Sequence, residues 1–119
     1  MSGKIELTPF IIEGIQDKKG KGISLLDLSQ IEGAGCRMFV ICEGNSPTQV
    51  SAITDSVRDT VLREAGRKPY STEGYTNSTW IVTDYGDTVV HVFVPDERKR
   101  YDLEELWSDA TITQVPDLD

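Results

Sequence analysis

One histidine, His91, and two cysteines, Cys36 and Cys42, are all that 119 residues contain of the commonest metal-ligating side chains. That scarcity excludes the usual zinc sets, which need several such residues at close spacing, and it excludes a disulfide framework. The cysteines are six residues apart in a segment that reads as extended, so at ~3.3 Å per residue they lie roughly 20 Å from each other, too far to bridge. Two unbridged thiols fit a reducing compartment. Long apolar runs are also missing: Thr8-Pro9-Phe10-Ile11-Ile12 is broken at once by Glu13 and Gly14. Neither a signal peptide nor a membrane span is expected, and a cytoplasmic location is. Cations are outnumbered, 12 Lys and Arg against 20 Asp and Glu, for a net charge of -8. No cationic excess remains to neutralise phosphates, which argues against direct sequence-specific nucleic-acid binding. An acidic surface does steer a basic protein partner.

What is present suffices for one modest core, since 38% of the residues are hydrophobic and they arrive in periodic runs. Thr8 before Pro9 predicts an N-cap and a short helix over 8–19. A strand is expected at 22–28. Met38-Phe39-Val40-Ile41-Cys42, almost continuously apolar, reads as a strand in the centre of a sheet covered on both faces. Ser46-Pro47-Thr48-Gln49 is the strongest local signal, a capping box with proline at the first helical position. Val50, Ile53, Val57 and Val61 then form one face of a helix that Gly66 closes. Segments 79–84 and 88–94, rich in β-branched and aromatic residues around Tyr85-Gly86-Asp87, predict an antiparallel hairpin. A helical segment around Asp102 to Trp107 follows, and 111–119 reads as a flexible acidic tail outside a domain spanning 1–110. The order of elements implies an α/β fold, a single domain with a mixed β-sheet flanked by helices.

Residues that carry chemistry are sparse. Gly44-Asn45-Ser46, where a strand gives way to a helix, is a candidate anion site, though any such turn wants glycine for its path and serine for the cap. Nucleotidyl transfer would also need two carboxylates at i and i+2 on a strand to hold a divalent metal. Asp102 and Glu104 have that spacing in a helical segment, Asp117 and Asp119 lie at the terminus, and Asp84 and Asp87 flank a turn. No metal or cofactor site and no catalytic residue is therefore assigned. His91 shares a face with Val89 and Phe93, which suits a satisfied, partly buried imidazole better than a catalytic base. What remains is a set of aromatics beside polar turn residues, Trp80, Tyr85 and Trp107 with Tyr75 and Tyr101, of the kind that anchors interfaces.

The sequence resembles the Iojap/RsfS ribosome silencing family, first in Glu73-Gly74, then in Trp80-Ile81-Val82-Thr83-Asp84-Tyr85-Gly86-Asp87 and Val89-Val90-His91-Val92-Phe93. The likeness continues through Arg98, Tyr101-Asp102-Leu103-Glu104 and Leu106-Trp107-Ser108-Asp109-Ala110, and upstream through Asp27, Phe39-Val40-Ile41, Gly44, Ser46, Gln49, Val50 and Ala52-Ile53. It departs at Cys36-Arg37-Met38, where the family usually carries an acidic residue followed by an aromatic. The resemblance implies a fold similar to a degenerate nucleotidyltransferase without its activity. It further implies a partner, ribosomal protein number fourteen of the large subunit, and obstruction of small-subunit joining when nutrients are scarce. On this reading Trp80, Asp84, Tyr85, Gly86, Asp87 and His91 form the docking surface, with Trp80 and Tyr85 as anchors and the two aspartates steering. Gly44 and Ser46 become a vestigial anion site, or, in the alternative reading, the nucleotide site of a nucleotide-binding protein or nucleotidyltransferase. A homodimer of the free protein, paired through β segments and exposed aromatics, is a further expectation.

Overall fold

The structure, a computed structural model, describes residues 6–118. The chain runs through α1 (Thr8–Asp17), β1 (Lys21–Asp27), β2 (Met38–Glu43), α2 (Pro47–Ala65), β3 (Ser71–Glu73), β4 (Trp80–Asp84), β5 (Thr88–Phe93), α3 (Pro95–Tyr101), α4 (Leu103–Leu106) and β6 (Thr111–Val115). The strands form one sheet in the order β3-β4-β5-β2-β1-β6. Its β2–β5 pair is parallel and the others are antiparallel, so the mixed sheet expected from the order of elements is what forms.

Local chemistry explains the start of α2. The Ser46 hydroxyl oxygen accepts from the Gln49 N–H at 3.1 Å while Gln49 Oε1 accepts from the Asn45 N–H at 2.7 Å, a variant of the capping box in which the return bond reaches the residue before the N-cap. Gly66 ends the helix in the left-handed region, φ 67°, where a side chain would be strained. Val50, Ile53, Val57 and Val61 are all fully buried. α1 differs in detail from the expectation. Thr8 is already the first helical residue, so Leu7 stands at the N-cap without a side-chain cap, and the Thr8 hydroxyl donates to Glu6 Oε1 at 2.8 Å. The helix also stops at Asp17, short of 19. α1 lies on α2 at Gly14, where a Cβ would come within 2.7 Å of the Val57 Cα. The Ser56 hydroxyl crosses this close approach to donate to the Gly14 carbonyl at 2.8 Å.

β2 sits inside the sheet as its continuous hydrophobicity demanded, and alternation divides its side chains. Val40 and Cys42 join the core under α1 and α2, whereas Phe39 and Ile41 face the opposite side, toward α3 and α4. Cys36 precedes the strand instead of lying in it, and the two free cysteines belong to different cores.

Residues 111–115 correct the expected loose tail. They form β6, paired with β1 from Thr111↔Asp27 to Val115↔Ile23. β-branched Thr111, Ile112, Thr113 and Val115 suit the pleat, and β1 would otherwise present an unpaired edge. Asp117 Oδ1 accepts from the Gly22 N–H and the Leu118 carbonyl from Lys21 Nζ, both at 2.9 Å, which ties down the stretch after the strand. Asp119 lies outside the described residues.

Candidate functional site

Alternation along β4 decides which hairpin residues share a surface. Trp80 points to the face opposite α1 and α2, together with Phe93 and Phe39, whereas Ile81 and Tyr85 enter the core beneath α2. Tyr85 is 1% exposed, so it is no surface anchor. The sequence pattern takes the turn as a unit, but Tyr85 stands five positions after Trp80, and an odd offset reverses the face. Burial pushes the Tyr85 phenol up to about 12.

On the Trp80 side, register places side chains in rows. Trp80 pairs with Phe93, Val82 with His91 and Asp84 with Val89 across the hairpin, while β2 aligns Phe39 with Val89 and Ile41 with His91. The Trp80 ring stacks on Phe93 with centroids 5.0 Å apart and lies 4.5 Å from Tyr101. Phe39 meets His91 edge-on at 4.5 Å and Trp107 at 5.9 Å. His91 is 6% exposed and accepts the Trp80 Nε1–H on Nδ1 at 3.2 Å. It therefore lies beneath the surface it was expected to form, and burial holds its pKa down to about 4.

The hairpin turn is organised by its own carboxylate. Asp84 Oδ1 accepts from the Gly86 N–H at 2.7 Å, and Gly86 is exposed. The Asp87 carbonyl accepts from the N–H groups of Arg37 at 2.9 Å and Met38 at 3.1 Å. Those bonds are made by backbone, so the turn is held without calling on the side chains of Cys36, Arg37 and Met38. The Cys36 thiol is raised by its burial, with Asp84 and Asp87 adding to the effect.

α3 and α4 complete the face; the helical segment near Asp102 to Trp107 and the aromatics Tyr101 and Trp107 match the sequence expectation, whereas α3 has no counterpart in it. The position of both helices is set by Arg98, which bonds Glu104 Oε2 at 2.6 Å, Glu43 Oε1 at 3.1 Å and Ser24 Oγ at 3.1 Å. Leu103 is buried against the sheet; Tyr101, 44% exposed, lies against partly exposed Trp80, and Leu106, 71% exposed, immediately precedes partly exposed Trp107. No apolar periodicity announces α3. Its signal is electrostatic: Pro95 at the first turn, then Asp96 and Glu97, then Arg98, Lys99 and Arg100 at the last, the order that complements a helix dipole.

At the other candidate site the turn has few free donors. The Gly44 N–H donates to the Phe93 carbonyl at 2.9 Å, and those of Asn45 and Gln49 serve the capping box. No group of three or more metal-ligating side chains occurs among the described residues. No helix among them is long and apolar enough to cross a membrane.

Comparison with known proteins bears on this geometry. The family profile described as "Ribosomal silencing factor during starvation" matches residues 3–119. The chain belongs to the ribosomal silencing factor family. A ribosomal silencing factor RsfS from Halalkalibacterium halodurans is 38% identical over 110 residues, 92% of either chain. Its counterpart from Bacillus subtilis is 42% identical over 99 residues, 83% of this chain and 82% of the relative. A crystal structure of a Chromobacterium violaceum protein superposes with a TM-score of 0.80 at 37% identity, covering 86% of this chain and 83% of that one. The family match extends through β6, so the C-terminal strand lies within the shared domain of these silencing factors.

Proposed function

We propose that this protein silences ribosomes in the cytoplasm by docking on the large subunit through ribosomal protein number fourteen, so that the small subunit cannot join when nutrients are scarce. The observation that carries the docking surface is the apolar face where Tyr101, 44% exposed, lies against partly exposed Trp80, with Leu106, 71% exposed, and partly exposed Trp107 following on α4 and at its end. Exposed apolar clusters rimmed by polar groups mark interaction sites. Asp84, Asp102 and Glu105 stand around this face beside Arg100, which lies over the Tyr101 ring at 5.8 Å, and this acidic majority complements a basic ribosomal protein. The partner's identity follows the family resemblance; the face offered to it is Trp80, Tyr101, Leu106 and Trp107, with His91 supporting Trp80 from below.

The mechanism is occupancy. No bond is made or broken, and repression scales with the fraction of large subunits whose joining surface is covered. Anchors in the centre of the patch set the dissociation rate, while rim carboxylates chiefly set association. The nucleotide-binding alternative at Gly44 to Ser46 is disfavoured because the N–H groups of Gly44, Asn45 and Gln49 are already bonded. A subunit-joining assay with purified subunits is the test: the protein should reduce joining in proportion to its binding. Joining that proceeds undisturbed at saturating protein overturns the reading.

A further inference from the structure

A groove of about 800 Å³ lies away from the Trp80 patch, between the second half of α2 and residues 67–75. Among its lining side chains are Arg58, Arg67 and Lys68, three of the 12 cations of a chain whose net charge is -8, together with Tyr70 and Tyr75. Two carboxylates face them. Asp55 is engaged by the Tyr75 hydroxyl, which donates at 2.5 Å, and Asp59 stands one helical turn further along α2.

Tyr70 is the unusual member, at 78% exposed. It is nevertheless held in place: its N–H donates to the Asp84 carbonyl at 2.7 Å, and its ring rests on Gly86, where an added Cβ would come within 2.8 Å of Cε2. A ring supported on one side and open on the other is a stacking platform. Beneath the groove, the hydroxyl of fully buried Tyr85 has no hydrogen-bond partner among the described residues and feels the charges of Arg58 and Arg67. Arg67 also donates to the Tyr85 carbonyl at 3.0 Å, so one groove cation is anchored to the same residue.

We propose that this groove binds a ribonucleotide, with the base stacked on Tyr70, the phosphate on Lys68 and Arg67, and Asp59 available to accept from a donor edge of the ring. The same chemistry is offered by a free mononucleotide and by an unpaired base in an RNA strand. A single groove with one stacking ring and a few cations needs no globally basic surface, which reconciles it with the acid balance of the chain.

Calorimetric titration of the full chain at low salt tests the assignment, using the ribonucleoside monophosphates and a mixed-sequence single-stranded hexaribonucleotide as probes. Tyr70→Ala should weaken binding about tenfold through lost stacking. Lys68→Ala should weaken it and flatten its salt dependence, whereas Ser46→Ala should leave it unchanged. Equal per-site affinity for mononucleotides and hexanucleotide assigns the site to free nucleotide; binding of the hexanucleotide alone assigns it to RNA. Absence of binding by every probe at millimolar concentration overturns the proposal, as does binding that Tyr70→Ala and Lys68→Ala leave intact. None of these readouts involves ribosomal subunits, so the outcome is separate from that of the proposed docking.

Discussion

The indole N–H of Trp80 donates to Nδ1 of His91 at 3.2 Å across the β4–β5 hairpin. That bond places the neutral imidazole's proton on Nε2 and couples the most prominent aromatic of the docking patch to a buried base. Burial lowers the His91 pKa from 6.5 to about 4. As pH falls, the unfolded chain therefore takes up the proton near 6.5 and the fold only near 4, so stability present above the higher value is lost between them. By this linkage, unfolding by urea should cost roughly 2 kcal/mol less at pH 5 than at pH 7 on account of His91, and a His91→Phe chain should lack that component. As the sole histidine, its ring resonance is unambiguous, and an NMR titration midpoint near 6.5 would contradict the buried assignment.

Arg98 should be the costliest polar residue to remove. Its side chain is 13% exposed, and truncation leaves Glu43 and Glu104 facing each other without a cation. Arg98→Ala is expected to lower stability by about 3 kcal/mol and to loosen α3 and α4, seen as faster amide exchange in 95–106. Arg98→Lys should recover only part, since a single ammonium cannot reproduce the forked geometry.

Docking and folding are separable on the patch. Leu106→Ala and Tyr101→Ala change exposed side chains and should leave thermal stability nearly unchanged while weakening co-sedimentation with purified large subunits, each by about tenfold. Trp80→Ala should do both, costing about 3 kcal/mol of stability because its ring also packs on Phe93. Undiminished co-sedimentation of folded Leu106→Ala and Tyr101→Ala proteins would remove the α3–α4 side from the docking surface.

Ending the chain after Ala110 should destabilise it. The truncation strips β1 of its partner strand, exposes surface now covered by Ile112 and Val115, and deletes the Gln114 side chain that receives the Ser24 hydroxyl at 3.0 Å. A lower urea midpoint and new exchange in β1 are expected; identical stability would mean that β6 adds nothing.

Much of this architecture is legible residue by residue because the relevant physics is local. Ser46, Gln49 and Gly66 bound α2 through contacts within a few residues of themselves, and β-branched alternation around Gly86 suffices to propose the hairpin. α3 escapes because apolar periodicity is the wrong signal for a helix with no buried residue. β3 escapes because three residues carry too little pattern, and β6 because a strand at a polar terminus is indistinguishable from a tail until its partner is known.

The sequence by itself determined the family, the mixed α/β class and the extent of the longest helix, since recognisable words, capping chemistry and hydrophobic period are properties of contiguous residues. Only the tertiary structure decided the site. It turned Tyr85 inward by the parity of the strand, sank His91 under Trp80, brought Tyr101 against Trp80, and set Tyr70 on Gly86. Each of those outcomes depends on register and packing between segments distant in the chain, which no local pattern encodes.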